Sequence, residues 1–183
     1  IIPEHEWLDK LETIIKITET YDITTIRATT GQYLVSKWIA ENTDIKVLLI
    51  GDGSDELTSG YLYFHNTPSA YDSHKENIKL LNNIHYFDVL RADRGIASNG
   101  LEARVPFLDY KFVDLYLSID DELRIPQTCE IDGKIIKCEK YLLRNAFNGY
   151  SILPDSVLWR KKEAFSDGVS KKEKSWFVII QEE

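Results

Sequence analysis

Apolar side chains recur with helical spacing at the start of the chain. They lie three or four residues apart after Pro3, at Trp7, Leu8, Leu11, Ile14 and Ile15. This spacing predicts an amphipathic helix that ends near Tyr21. The β-branched residues of the next stretch, 22–31 (DITTIRATTG), interrupt the pattern and predict an extended segment that carries a lone arginine, Arg27. A second helix is predicted from about Gln32 to Glu41.

An uninterrupted apolar run occupies residues 47–50 and ends in a glycine turn. Consecutive aliphatic residues of this kind predict a short strand buried on both faces, as in parallel α/β sheets. Gly51 and Gly53 permit a sharp turn close to a ligand, and Ser54 is a favourable N-cap for a helix. The pattern is therefore strand, tight turn and helix. In open α/β sheets, ligands bind at this end of the strands.

The remainder of the chain has mostly helical periodicity. Helices are predicted at about residues 70–92, 93–99, 109–118 and 138–148, with a last helix after Asp167. The pair Asp132-Gly133 fits a type I′ turn and predicts a β-hairpin. Because one strand cannot form a sheet, we expect the other strands of a parallel sheet to lie outside this sequence, most simply upstream. The predicted fold class is helix-rich α/β.

The acidic residues of the glycine turn, Asp52, Asp55 and Glu56, admit more than one interpretation. A capped helix without a ligand explains them as well as a binding site does, because carboxylates favour the positive end of a helix dipole. A calcium loop is disfavoured, since Leu57 and Tyr63 stand where such loops need glycine and glutamate. A P-loop is disfavoured as well, because the turn contains no Gly-Lys-Ser/Thr. Carboxylates beside a phosphate require a bridging Mg²⁺ or an opposing lysine.

The composition is that of an ordinary globular domain, with 43% hydrophobic and 28% charged residues among 183. A net charge of −8 disfavours nucleic acid as a partner. No apolar stretch approaches membrane-spanning length and no secretory signal is visible, so we expect no membrane association and a cytoplasmic location. Cys129 and Cys138 are accordingly predicted to be reduced thiols. The sequence contains no methionine, and we expect it to be part of a longer protein.

Four stretches in order carry a family resemblance: ETYDITTIRA, GDGSDELTSGYLYFH, LEARVPFLD and LWRKKEAFSDG. Together they resemble the synthetase domain of glutamine-dependent asparagine synthetases, almost end to end from about Glu6 to Trp176. The resemblance implies that residues 1–183 are the C-terminal portion of an ATP-pyrophosphatase domain, of the adenine nucleotide alpha hydrolase-like type. Most of its parallel sheet would then come from upstream sequence. The implied activity is ATP-dependent conversion of aspartate to asparagine through β-aspartyl-AMP, with ammonia from glutamine.

The same resemblance implies the partners of the site. They are ATP as a substrate, Mg²⁺, aspartate, ammonia, and a glutaminase (glutamine amidotransferase) domain of the same protein, with a homodimer left open. Neither the glutaminase domain nor the family's Ser-Gly-Gly-x-Asp-Ser pyrophosphate loop occurs in this sequence. We therefore expect this portion alone to be inactive.

The family counterpart of the glycine turn reads Ser-Gly-Glu-Gly-Ser-Asp-Glu. The resemblance implies that the backbone at Ile50 and Gly51 contacts ATP. It also implies that Asp52, in place of a glutamate, is the catalytic carboxylate that acts on ammonia or on the adenylate. Asp55 is the predicted Mg²⁺ ligand. Lys162 is the predicted catalytic cation for the α-phosphate and the leaving group.

Aspartate recognition is implied for Thr24, Thr25 and Arg27, which match the family's segment for this substrate. The guanidinium of Arg27 can bind a carboxylate with two hydrogen bonds, and the hydroxyls can orient it. The alternative is an extended segment with a surface arginine.

Other residues are assigned structural roles. Glu102 and Arg104 are predicted to form a buried pair that fixes a loop behind the site, and Glu56 is predicted to be structural. Lys161 is predicted to be solvated. Residues 127–138 are predicted to be a surface insertion.

Two other functions stay open. Ile50 and Asp52 replace the serine and glutamate of the family pattern, which is compatible with a catalytically inactive helical interaction module. A β-lactam-forming synthetase, another ATP-pyrophosphatase ligase, is a closer rival. Residues 24–28 (TTIRA) argue against that rival because they match aspartate recognition.

Overall fold

The computed structural model describes residues 2–131, 133–163, 165 and 175–182, and it divides into two compact units. The first unit comprises Ile1–Ile50, Ile84–Val105 and Glu163–Glu183, and the second comprises Gly51–Asn83 and Pro106–Lys162. Each unit is therefore assembled from stretches that are distant in sequence.

Short helices make up most of the described chain. The α-helices are α1 (Glu4–Leu8), α2 (Leu11–Thr18), α3 (Ile23–Asn42), α4 (Ser54–Leu57), α5 (Ala70–Asn83), α6 (Asp88–Ala97), α7 (Tyr110–Leu117), α8 (Asp121–Arg124), α9 (Tyr141–Phe147), α10 (Asp155–Leu158) and α11 (Trp176–Glu182). The 3₁₀ helices are Leu62–Asn66, Ile84–Tyr86 and Pro106–Leu108. The strands are β1 (Val47–Leu49), β2 (Glu102–Arg104), β3 (Gln127–Ile131) and β4 (Lys134–Cys138).

The predicted extended segment at 22–31 is wrong, because these residues form the first half of α3. Asp22 caps the helix by accepting a hydrogen bond from the Thr25 backbone at 2.7 Å. The hydroxyls of Thr29 and Thr30 donate to carbonyls one turn back at 2.8 Å, so these buried β-branched residues satisfy their polar groups inside the helix. Gly31 has no side chain, and this leaves room for the aromatic rings of Trp7 and Phe165 to lie close to α3.

The predicted first helix is divided into α1 and α2. It ends at Thr18 rather than near Tyr21, because Glu19 adopts a left-handed conformation with φ of 53°.

The core of the first unit lies between α3, α6 and a two-stranded parallel sheet. Ala92 and Ile96 of α6 and Leu101 are buried, and they contact Ile39 of α3 and Leu48 of β1 among other residues. In the sheet, β1 pairs with β2 in parallel. The structure is therefore helix-rich α/β, as the sequence predicts. The expectation that the other strands lie outside this sequence is wrong for β2, which lies within it and pairs with β1.

The strand predicted to be buried on both faces is not buried that way. Leu48 packs on the core, but Val47 is 47% exposed and Leu49 77% exposed. The pair of Glu102 and Arg104 does form, at 2.7 Å, but the prediction that it is buried is wrong. Among the described residues the sheet has two strands, so no third strand lies beside these side chains.

The core of the second unit forms where α4, α5 and the 3₁₀ helix Leu62–Asn66 meet. Leu57 and Phe64 are fully or almost fully buried. Asn77 of α5 donates a hydrogen bond to the carbonyl oxygen of Glu56, and the hydroxyl of Ser59 donates to the Asn77 side chain at 3.3 Å. These buried bonds fix α4 on α5.

The predicted helix at 70–92 ends early, and the helix predicted at 93–99 begins early. Phe87, with φ of −126° and ψ of −100°, has a non-helical backbone, so α5 stops at Asn83 and α6 starts at Asp88. The predicted helix at 109–118 is confirmed by α7. The predicted helix at 138–148 is shortened to α9, because Cys138 belongs to β4 and Lys140 is left-handed.

The predicted hairpin is confirmed, since β3 pairs antiparallel with β4. Gly133 has the positive φ that such a turn requires, while Asp132 lies outside the described residues. The prediction of two reduced thiols is wrong: Cys129 and Cys138 form a disulfide with their Cα atoms 6.2 Å apart. The hairpin register explains the pairing, because it brings both residues to the same face as diagonal neighbours.

Two further predictions concern a helix after Asp167 and the expectation that no segment spans a membrane. The helix predicted after Asp167 falls largely on residues 166–174, outside the described residues, and α11 follows them. Among the helices of the described chain, none is both long enough and apolar enough to span a membrane.

Candidate functional site

The glycine turn begins where β1 ends. The backbone N–H of Ile50 donates to the carbonyl oxygen of Arg104 at 2.9 Å. This N–H is therefore already hydrogen-bonded to the β2 side of the sheet. Gly51 is exposed, and a Cβ there would meet no described atom within 4 Å. The backbone at Gly51 is accordingly accessible to a ligand, as the prediction of an ATP contact requires.

Gly53 provides the conformation that reverses the chain. Its φ is 88°, and a Cβ would lie 2.4 Å from Leu108 Cδ2, so both conformation and packing require glycine. Gly53 is the N-cap of α4, and Ser54 is the first helical residue rather than the cap. Asp52, half-buried between the two glycines, precedes this reversal.

Asp55 is the centre of a cluster of charges in the second unit. Its Oδ2 accepts a hydrogen bond from Lys162 Nζ at 2.7 Å, and its Oδ1 lies 2.9 Å from Lys140 Nζ. Lys140 Nζ also donates to the Ser54 hydroxyl at 2.9 Å. The two lysine side chains are each 19% exposed and Asp55 is 22% exposed. One carboxylate is therefore held by two ammonium groups that solvent still reaches.

The cluster depends on the absence of a side chain at Gly60. A Cβ at this position would lie 2.1 Å from Asp55 Oδ1 and 2.4 Å from Lys140 Cε. These distances are shorter than any real contact, so a side chain here would displace the carboxylate, the lysine or both.

The electrostatics keep Asp55 ionised. Burial by itself raises the pKa of the Asp55 carboxyl, but the ammonium groups of Lys140 and Lys162 together outweigh burial, and the net pKa is lowered. The carboxylate is thus a permanent counter-ion for the lysines at neutral pH. Lys162 Nζ also lies 5.7 Å from the centre of the Tyr61 ring.

Glu56 has the contacts of a structural residue. It is 3% exposed, and its carboxylate accepts a hydrogen bond from the Tyr61 hydroxyl. Lys161, by contrast, is exposed, as predicted.

Sequence reasoning missed Lys140. The contact between Lys140 and Ser54 joins residues 86 positions apart, so no local spacing could reveal it. A positive φ of 56° at a residue that is not glycine is a conformational signal, but it becomes visible only in the structure.

The predicted aspartate-binding residues lie in the first unit, near the start of α3. Thr24 is exposed and Arg27 half-buried, and a separation of three residues puts them on one helix face. Thr25 is only 3% exposed, so its side chain is less available to a substrate. This group belongs to the first unit, whereas the Asp55 cluster belongs to the second.

The Asp55 cluster would take a metal ion only if phosphate oxygens supplied most of its ligands, because both oxygens of Asp55 lie against lysine ammonium groups. Within the described residues, no three His, Cys, Asp or Glu side chains are grouped to hold a metal. Mg²⁺ usually takes one or two carboxylates together with substrate phosphates and water. Asp55 can supply one carboxylate, and adjacent ammonium groups suit a polyphosphate. The assignment of Asp55 to Mg²⁺ stays a prediction.

Comparisons with known proteins agree with the resemblance seen in the sequence. The model of the family described as asparagine synthase matches residues 1–80 and 71–177. A protein of Gallus gallus named asparagine synthetase [glutamine-hydrolyzing] is 50% identical over 182 residues, which are all of this chain and 31% of that protein. Proteins of the same name from Rattus norvegicus and Homo sapiens are 51% and 50% identical over 177 residues, 97% of this chain and 30% of each relative. The chain thus spans somewhat under a third of the curated relatives' length.

Proposed function

The chain belongs to the asparagine synthase family, and on this premise we propose that the complete protein converts aspartate to asparagine with ATP and with ammonia from glutamine. The observation that carries the proposal is the pair of Asp55 and Lys162. These residues belong to separate family-like stretches, 107 positions apart in sequence, and their side chains are 2.7 Å apart. A lysine–carboxylate pair whose carboxylate lies on the helix that follows the turn with the accessible backbone of Gly51 is suited to a nucleotide phosphate.

The proposed chemistry has two steps. An oxygen of the aspartate side-chain carboxylate attacks the α-phosphorus of ATP, and pyrophosphate leaves with the electron pair of the broken P–O bond. Ammonia then attacks the acyl carbon of β-aspartyl-AMP, AMP leaves with the electron pair of the broken C–O bond, and the nitrogen loses one proton. Negative charge grows on phosphate oxygens in the first step, and a fixed ammonium beside them stabilises that transition state.

The predicted residues have the following roles in this scheme. The Lys162 ammonium stabilises charge at the α-phosphate, and Asp55 holds that ammonium in place. Asp52 accepts a proton from the attacking nitrogen. The backbone at Ile50 and Gly51 contacts the nucleotide. When Mg²⁺ is bound at Asp55, it supplies positive charge to the phosphates.

The substrate aspartate is proposed to bind through its carboxylate to Arg27, with Thr24 and Thr25 as orienting hydroxyls. The structure supports Thr24 and Arg27 more than Thr25, because the latter is buried. The chain is proposed to be the C-terminal portion of an ATP-pyrophosphatase domain. The complete protein is proposed to be cytoplasmic and to contain a glutaminase domain that supplies ammonia to this portion. A homodimer of the complete protein is also part of the proposal.

The proposed function is tested by incubating the complete protein with aspartate, ATP, Mg²⁺ and glutamine. Asparagine, AMP and pyrophosphate should form in equal amounts. An inactive module would form none of them. A β-lactam-forming relative would release AMP and pyrophosphate only with a different acid substrate, and aspartate would give no AMP. Either of these results would overturn the proposal.

We expect Arg27→Lys in the complete protein to raise the KM for aspartate far more than the KM for ATP. A lysine keeps the charge but cannot reproduce the two parallel hydrogen bonds of a guanidinium to a carboxylate. Steady-state kinetics with each substrate varied in turn measure the effect. Arg91→Lys, on α6 of the same unit, is the matched control and should change neither KM. Equal increases in both KM values for Arg27→Lys would remove this residue from the aspartate site.

A further inference from the structure

The segment that carries Lys162 has no regular structure of its own. Residues 160–163 follow α10 without forming a helix or strand, and the neighbouring Lys161 is exposed. The side chain of Lys162 nevertheless reaches Asp55 at 2.7 Å. Contacts with other parts of the second unit must therefore fix this segment.

Arg144 of α9 makes those contacts. Its Nη1 donates to the carbonyl oxygens of Leu158 at 2.6 Å and Arg160 at 3.1 Å, which belong to the end of α10 and to the stretch that leads to Lys162. Its Nε donates to the carbonyl oxygen of Glu139 at 3.0 Å, and its Nη2 donates to the Glu139 carboxylate at 2.7 Å. One guanidinium thus ties the segment before Lys162 to the residue that precedes Lys140.

Burial makes these bonds strong enough to fix the segment. The Arg144 side chain is 15% exposed and that of Glu139 is 8% exposed, so water competes little for either group. A guanidinium offers several donors in a rigid plane, and Arg144 uses all three of its nitrogens here. A lysine at this position could not make the same set of bonds.

From these contacts we propose that Arg144 is a positioning residue for Lys162. Lys140 and Lys162 bind the two oxygens of the same carboxylate, Asp55, and they belong to segments that Arg144 joins directly. With Arg144 in place, the ammonium of Lys162 is held at Asp55. The importance of this position for catalysis rests on the role proposed for Lys162 above.

The test measures the reactivity of individual lysines in the complete protein, and it does not require enzymatic activity. Acylation by a water-soluble ester, followed over time by mass spectrometry of peptides, gives a rate for each lysine. In Arg144→Lys and Arg144→Met, we expect the acylation rate of Lys162 to rise several-fold, because its segment is released from Asp55. The rate of Lys140 should rise much less, because its ammonium keeps two contacts, Asp55 and Ser54. Its backbone carbonyl also still accepts the hydrogen bond of the residue 144 N–H at 2.9 Å, which does not depend on the side chain there.

Arg124→Lys is the matched control. Arg124 is also a buried arginine of the second unit, and it donates to the backbone carbonyl of Ile119 at 2.9 Å. Its hydrogen bonds within the described part of the chain go to Ile119, His74 and Asp121, and not to the segment of Lys162. Its substitution should leave the acylation rates of both lysines unchanged. Circular dichroism identifies folded variants, and Arg144→Gln, which retains a short amide donor, is used if Arg144→Met does not fold.

Kinetics supply a second readout. Misplacing a catalytic group by about 1 Å costs on the order of 10²-fold in rate, so kcat of Arg144→Lys should fall by about that factor while the KM for aspartate stays close to that of the wild type. An unchanged acylation rate of Lys162 in a folded Arg144 variant would overturn the positioning role. Equal increases at Lys140 and Lys162 would overturn it too, since they indicate general loosening. If Lys162 is released but asparagine synthesis persists, the catalytic role of Lys162 fails and the positioning role stands.

Discussion

Replacing Lys162 with methionine should lower kcat of the complete protein by about 10²- to 10³-fold, which is the usual effect of removing one positioned donor from a developing negative charge. Methionine keeps most of the length and apolar character of the lysine stem and removes the ammonium. The loss should therefore appear in catalysis rather than in folding. Initial rates of pyrophosphate release measure the adenylation step directly.

Two controls separate charge from position. Lys161→Met removes the exposed neighbouring lysine and should leave kcat unchanged, since that side chain is solvated. Lys162→Arg keeps the charge but brings a wider, planar group to Asp55, so partial activity is expected. Asp55 is left with Lys140 as its remaining ammonium in Lys162→Met, so a wild-type kcat in that variant would show that the pair is only a structural ion pair.

Asp52→Ala should lower kcat by about 10²-fold or more, as expected for a positioned acid–base group. Asp52→Glu, which restores the side chain of the family pattern, should retain or increase activity. Asparagine formation and pyrophosphate release need separate assays, because a defect in adenylate formation stops both reactions while a defect in ammonia attack uncouples them.

The competing explanation is that Asp52 serves only the geometry of the turn. Both substitutions would then act through stability, by about 1 kcal/mol, the usual net size of a single polar contact, and turnover per folded molecule would be normal. Asp44→Ala, at an exposed acidic residue shortly before β1, is the control for the change in net charge. Normal turnover of folded Asp52→Ala would end the catalytic interpretation.

Local sequence patterns predicted the elements that are determined by residues close together in the sequence. The run of aliphatic residues before Gly51 became β1, and Gly53 took the positive φ that the turn requires. The start of α3 was mispredicted because threonine has a low intrinsic helix propensity. In the structure, the hydroxyls of Thr29 and Thr30 donate hydrogen bonds to backbone carbonyl oxygens of the previous helical turn. Tertiary packing around Gly31 then favours the helix.

The site was less predictable than the elements, since its contacts join distant residues. Asp55 and Lys162 were both identified through family resemblance, but their direct contact at 2.7 Å was not predicted. Lys140 was not identified at all, and neither was Arg144. Both residues act through contacts that depend on the packing of α9 and of the segment after α10. These segments are separate in sequence, so local patterns in a single sequence do not reveal the contacts.

The discontinuous build of the two units has a consequence for how the chain folds. The ring of Trp7 in α1 packs edge-on against that of Trp176 in α11, with their centres 5.3 Å apart, so the first unit uses both extremes of the described chain. During synthesis α1 cannot make this contact before Trp176 has emerged, while the second unit can close once Lys162 has emerged. Contacts of such long sequence separation slow folding and leave apolar surface open in the meantime. We therefore expect the second unit to be the earlier folding unit, although its sequence starts later.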